Sequence, residues 1–235
     1  MIEKVVIQND EIYGVPFRAD LIPISNKTSR PQYPMNPTSI TVHNTGNSNK
    51  GADAEVHTEY VDDTTSYVSW HFTVDDKQII QELPINESAW HAGDGTYGKG
   101  NRSSIGIEIC EQEGIDWARA RSNAVKLIVW LFNNVESIQN VVPHKEWTGK
   151  YCPHKILDEG WELFVDDIKK YFGSVNRGDD VKMSWQQKIG IEAIRSLGEK
   201  DLIKDVDGWC EKDLMEPTPL WLFFEMINRV TTREG

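Results

Sequence analysis

Cysteine is scarce in this 235-residue chain: Cys110, Cys152 and Cys210 are odd in number and far apart. A small secreted scaffold held by disulfides uses a dense, even set, so thiol chemistry or metal binding fits these three better. No run of about 18 apolar residues is present, which excludes a helix crossing a bilayer. The start, "MIEKVVIQNDEIYG", lacks the basic head and apolar run of a signal peptide, so synthesis as a soluble cytoplasmic chain is expected. Base is also in short supply. With 25 Lys and Arg against 37 Asp and Glu the net charge is −12, which argues against nucleic acid as a partner, because phosphate binding draws on clustered cations. What is present is apolar content of 39%, enough at this length to bury a core without staples.

Strands and helices alternate through the first three quarters. "TSITVHN" reads as a buried strand ending at His43, and "ADAEVHTEYVDD" as a helix with Val56, Tyr60 and Val61 on its apolar face and His57 on a solvated one. "YVSWHFTVDDKQIIQELP" reads as a hairpin turning at Asp75-Asp76-Lys77, and "SSIGIEICE" as a further strand entered from the glycine-rich "HAGDGTYGKGNR". "DWARARSNAVKLIVWLFNNV" is a core helix and "NVVPHKE" a brief strand. "LDEGWELFVDDIKKYF" is an amphipathic helix with Trp161, Phe164, Val165, Ile168 and Phe172 on one side. This is the pattern of an α/β domain, placed at residues 1–173. Residues 174–184 have the composition of a linker. Residues 185–235 read as a small all-α unit whose apolar side chains exceed what two short helices can cover.

Chemistry gathers in "VVPHKEWTGKYCPHK", residues 141–155. His144 and Cys152 alone point only weakly to a metal. His43, at the end of a core strand, is the natural third ligand, and two histidines with a cysteine and an open fourth position make a catalytic zinc pattern. Hydrolysis through such a centre also needs a base and an oxyanion partner. Glu108 in "IGIEIC" suits the first role, since a carboxylate among isoleucines is costly without a partner or a task; the other reading is an edge-strand Glu facing water. Lys150 suits the second, the alternative being an ordinary surface lysine.

Five blocks, "ITVHNTG", "VSWHFTVDD", "AWHAGDG", "SIGIEIC" and "HKEWTGKYCPH", stand in the order and spacing of type-2 N-acetylmuramoyl-L-alanine amidases, the zinc family that includes phage lysozyme-type amidases and peptidoglycan-recognition proteins. The resemblance spans roughly residues 30–172, and "WTGKYCPHKIL" is most similar to endolysins of phages of Gram-positive bacteria. It implies a mixed central β-sheet flanked by helices, zinc on His43, His144 and Cys152, catalytic roles for Glu108 and Lys150, and peptidoglycan, glycan and stem peptide, as substrate. Asn44, Trp70, Trp90 and His91 are the implied substrate contacts. Some members carry Tyr where this chain has Trp70 and lack the Glu, so the Glu-dependent variant of the mechanism is implied. His71 and His154 read as structural, and Cys110 and Cys210 as small apolar core residues.

Two rivals are a non-catalytic recognition protein on the same scaffold and a cysteine peptidase using Cys152 with His144, to which Pro153 denies an activating amide. Residues 185–235 resemble S-layer-homology repeats; wall targeting and self-association are both expected roles. A wall hydrolase folded in the cytoplasm would reach its substrate through a holin-type opening.

Overall fold

The computed structural model describes residue 7 and residues 9–175. Its elements are β1 (Glu11–Ile12), β2 (Val15–Ala19), β3 (Ser39–Asn44), α1 (Ala54–Asp63), β4 (Phe72–Val74), β5 (Ile79–Gln81), α2 (Lys99–Ser103), β6 (Ser104–Ile109), α3 (Trp117–Asn134), β7 (Asn140–Pro143), α4 (Lys145–Thr148), α5 (His154–Glu159) and α6 (Trp161–Val175). Seven strands form one sheet in the order β1-β2-β5-β4-β6-β3-β7. β1 with β2 and β4 with β5 are antiparallel; β2 with β5, β4 with β6, and β3 with β6 and β7 are parallel. The fold is therefore the expected mixed α/β sheet flanked by helices.

Alternation along the central strands sorts core from site. Ile40 and Val42 of β3 and Ile105, Ile107 and Ile109 of β6 join Leu127, Ile128, Leu131 and Phe164 of α3 and α6 in the main apolar core. Each such fully buried side chain contributes roughly 1.5–3 kcal/mol. The residues between them, Thr41 and His43 on β3 and Ser104, Gly106 and Glu108 on β6, project to the other face. Parallel register sets His43 beside Glu108 and Thr41 beside Gly106. Because β6 is paired on both sides, the edge-strand reading of Glu108 falls.

One hairpin has no forecast in the sequence, and two helix expectations need correction. The first hairpin, β1 to β2, carries no Asn-Gly or Asp-Gly signal; its turn is Tyr13-Gly14, both at positive φ (47° and 74°), the conformation a tight right-twisted hairpin requires. The helix expected from residue 157 onward is two helices, α5 and α6, separated by Gly160 at φ 111°. In α1 the buried side chains are Ala54, His57, Thr58 and Val61, while Val56 and Tyr60 are exposed. Rotation of α1 is set by its start: Asp53 accepts from the Val56 N–H, and the Ala54 N–H donates to Asp75. The hairpin turn holds as expected, with Asp75 Oδ1 accepting from the N–H groups of Lys77 and Gln78. α6 runs to Val175, so the first two residues of the linker expected at 174–184 are helical; the rest of that linker and the helical unit at 185–235, with Cys210, lie outside the described residues. Among the described residues no helix is long and apolar enough to cross a membrane.

Candidate metal centre

His43 is the penultimate residue of β3, His144 follows β7, and Cys152 lies between α4 and α5. One ligand atom from each falls within 4.8 Å of the others, and all three residues are buried. His43 Nδ1 is 3.8 Å from Cys152 Sγ, and the His43 and His144 rings are 4.6 Å apart. The eight-residue spacing from His144 to Cys152 closes a small loop. The His144 N–H extends the β3–β7 ladder to the Val42 carbonyl, the Lys145 N–H donates to the Cys152 carbonyl, and Gly149 turns the chain at φ 76°. Trp147 at the loop's centre donates its indole N–H to Thr41 Oγ1 at 2.8 Å. It also packs over Gly100, where a Cβ would come within 2.8 Å of the ring.

Hydrogen bonding fixes which atoms face inward. A carbonyl only accepts, so His144 Nε2, 3.0 Å from the Ala92 oxygen, carries the proton and Nδ1 presents its lone pair. That Nδ1 is buried with no hydrogen-bond partner among the described residues, a costly arrangement unless a ligand completes it. Burial, reinforced by neighbouring histidines and Lys150, holds His43 well below the usual histidine range. Burial and Lys150 lower His144, so both imidazoles are neutral and available as donors. Burial pushes the Cys152 thiol up to about 11, with Glu108 adding to the effect. A thiol so raised is the reverse of an activated nucleophile, which removes support from the cysteine peptidase reading. Two neutral nitrogens and a sulfur that a dication would deprotonate suit a borderline-soft metal such as zinc.

Glu108 stands beside this set. Its Oε1 is 3.9 Å from His43 Nδ1, its Oε2 is buried without a partner among the described residues, and burial pushes its carboxyl up to about 8 against the opposing pull of Lys150. Lys150 is exposed, and its charge acts on Glu108, His43 and His144 alike.

Two clefts meet here, sharing His91, His144 and Lys150. The first, about 750 Å³, is walled by Tyr33, Tyr67 and Trp90. The second, about 460 Å³, is walled by Asn44, His57, Tyr60 and Trp70 and holds Glu108 and Cys152.

The implied substrate contacts divide. Trp90 is half-buried, edge-on to Tyr33 and Tyr67 at 6.2 and 6.4 Å. Trp70 is buried against Ile22, Val61, Leu83 and Ala89, with its indole N–H on Thr73. Asn44 accepts from the Lys155 N–H and leaves its Nδ2 unpartnered among the described residues. His91 is buried, with one ring nitrogen against His43 and the other against the Ser104 carbonyl. His71 is structural as expected, accepting from the Gly106 N–H and donating to the Glu87 carbonyl; His154 pairs with Glu111. His57, expected in solvent, is buried with Nδ1 on the Asp53 carbonyl. Tyr33 and Tyr67 carry no signal in the sequence, where no spacing ties them to the five blocks. Val56 and Tyr60 fell on an expected core face; both line the second cleft.

Comparison with known proteins identifies the family and agrees with the fold. A family model described as N-acetylmuramoyl-L-alanine amidase (Amidase_2) matches residues 33–155. The N-acetylmuramoyl-L-alanine amidase CwlH of Bacillus subtilis is 54% identical over 156 residues, covering 66% of this chain and 61% of that protein. The amidase XlyA of the same organism is 54% identical over 63% of this chain and 50% of its own length. The chain thus spans half to three fifths of these curated relatives. The solved catalytic domain of XlyA superposes with a TM-score of 0.62 at 52% identity, over 66% of this chain and 99% of that one. A mutant endolysin from Bacillus subtilis gives 0.62 at 51%, with coverage of 66% and 99%.

Proposed function

From the premise that this chain belongs to the N-acetylmuramoyl-L-alanine amidase family, we propose that it is a zinc-dependent endolysin hydrolysing the amide between N-acetylmuramic acid and L-alanine in peptidoglycan. The observation that carries the reading is the convergence of His43, His144 and Cys152 on the junction of two clefts, with Glu108 beside them. Zinc held by these three residues would polarise the scissile carbonyl and acidify a water.

The chain's own groups supply the rest. Glu108 works as the carboxylate, which burial alone disfavours and a neighbouring dication would restore; it takes a proton from the attacking water and delivers it to the departing alanine nitrogen. Lys150, a cation at the mouth of both clefts, faces the charge that develops on the carbonyl oxygen. The bond to be cut joins a sugar's lactyl arm to a peptide, so a substrate with two arms suits a centre reached by two clefts. Retention of all three metal donors and Glu108 favours catalysis over recognition alone. The endolysin assignment draws support from relatives of that kind. In that role the protein meets the wall after a holin-type opening of the membrane, with residues 185–235 serving wall attachment or self-association.

Metal analysis of the purified protein, run beside detection of new N-terminal L-alanine on digested cell walls, tests both halves. The expected result is one zinc per chain and alanine release that chelator abolishes. An active, metal-free protein would sink the zinc proposal, and release of new reducing sugar without new alanine would sink the amidase one.

A further inference from the structure

His91 has neither ring nitrogen free for a ligand. Its Nε2 is 3.2 Å from the Ser104 carbonyl and its Nδ1 is 3.0 Å from His43 Nε2. We propose that His91 is a positioning residue that fixes the tautomer of His43, so that Nδ1 of His43 is its metal-donor atom.

Ser104 oxygen can only accept, so His91 Nε2 carries the proton and His91 Nδ1 presents a lone pair. That lone pair accepts from His43 Nε2–H, which leaves His43 Nδ1 unprotonated on the side of Cys152 Sγ, 3.8 Å away. The opposite assignment would set two lone pairs against each other, at His91 Nε2 and the Ser104 oxygen. His144 reaches the same state in one step, through the Ala92 carbonyl. Both histidines thus offer Nδ1, one directly and one through an intervening imidazole, and a partner on the far nitrogen is the usual means of orienting a ligating histidine.

The relay is built into the fold. The backbone N–H groups of His91 and Ala92 both donate to Asn101 Oδ1, at 2.9 and 2.8 Å, and Asp94 accepts from the Gly100 and Asn101 N–H groups. The glycine-rich 91–104 segment is therefore a clamp on the His91 backbone. Beneath the ring, Gly106 leaves the space; a Cβ there would lie 2.8 Å from His91 Cγ. The His43 and His91 rings stand nearly perpendicular, 89° apart in plane with centroids 5.1 Å apart, and their edges meet at the 3.0 Å contact between His43 Nε2 and His91 Nδ1.

The inference rests on the metal reading of His43, and its test separates the two. Long-range 15N–1H spectra of the full-length, metal-free protein report the tautomer of His43 directly. The wild type should show Nε2–H. His91→Phe should lose that preference and weaken zinc about 10–100-fold in chelator competition, and His91→Asn, whose carboxamide oxygen can still accept, should recover most of both. A packing role alone would tolerate Phe and gain nothing from Asn. Wild-type His43 found as Nδ1–H overturns the proposal without any variant, as does a folded His91→Phe protein with unchanged tautomer and affinity. Nε2–H at His43 in a chain that binds no zinc would defeat the metal reading and uphold the relay; tight zinc binding with Nδ1–H in the metal-free chain would do the reverse.

Discussion

His43 and Glu108 are register partners on adjacent parallel strands, with Glu108 Oε1 3.9 Å from His43 Nδ1. The proposed metal donor and the proposed proton carrier are thus held by the same backbone ladder, and neither depends on a loop for its place.

Glu108→Gln separates the two roles. The amide is nearly isosteric and cannot accept the proton, so turnover on peptidoglycan should fall by about 10²–10⁴-fold while zinc stays bound. The metal-free variant should melt no lower than wild type at neutral pH, because a buried group that favours the neutral form is replaced by one that is always neutral. Near-normal activity would rule out the proton-carrying role.

Removal of a donor acts on metal and turnover together. His43→Ala, His144→Ala and Cys152→Ser should each lower zinc affinity and activity in parallel, read by chelator competition and by alanine release. Full zinc affinity in any of them would remove that residue from the ligand set.

Stability should depend on pH through Glu82, which is fully buried and accepts from Thr58 at 3.1 Å. Burial pushes its carboxyl up to about 8, against the downward pull of the Thr73 and Thr58 hydroxyls. The folded state therefore holds a proton that the unfolded chain releases from about pH 4.5. Its contribution is full below that pH, declines as pH rises, and is exhausted above about 8. Denaturant midpoints of Glu82→Gln relative to wild type should rise between pH 5 and pH 8. A flat difference would show that Glu82 ionises normally.

Gly100→Ala tests the scaffold of the ligand loop. The added Cβ would fall 2.4 Å from Ala92 Cβ and 2.8 Å from the Trp147 ring, both on packed segments next to His144. Overpacking of this kind costs about 1–3 kcal/mol, and displaced Trp147 should loosen the loop between two metal donors. A lowered melting temperature with weakened zinc is expected; an unchanged melting curve would show that the contact relaxes freely.

Much of this site was legible because strand periodicity is a local signal. "TSITVHN" and "SIGIEIC" alternate, so His43 and Glu108 could be set apart from their isoleucines before any partner strand was known. The register that makes them neighbours is a tertiary fact. So is the burial of His57: α1 has apolar residues on two sides, and the hydrogen bonds that the Ala54 and Val56 N–H groups donate to Asp75 and Asp53 decide which side turns inward. Val56 and Tyr60 read as core because cleft walls and cores use the same side chains. The role of His91 was hidden for another reason: a histidine between "AW" and "AG" looks the same whether its ring meets substrate or His43.

Truncation tests the role of the C-terminal region. Its sequence carries Trp185, Ile189, Ile194, Leu220, Trp221, Phe223, Phe224 and Met226, an apolar surplus of the sort that marks an interface. Every proposed catalytic and metal residue lies before it, and α6 runs to Val175, so a truncation belongs after that residue. The catalytic domain of XlyA is matched over 99% of its length by 66% of this chain, which argues that such a domain needs no further segment to fold. Residues 1–175 should therefore fold, hold zinc and cleave soluble muropeptides at the full-length rate, while lysing intact cells more slowly. Equal loss on both substrates would make residues 176–235 part of the catalytic unit. A drop in solution mass from multimer to monomer would favour self-association over wall attachment.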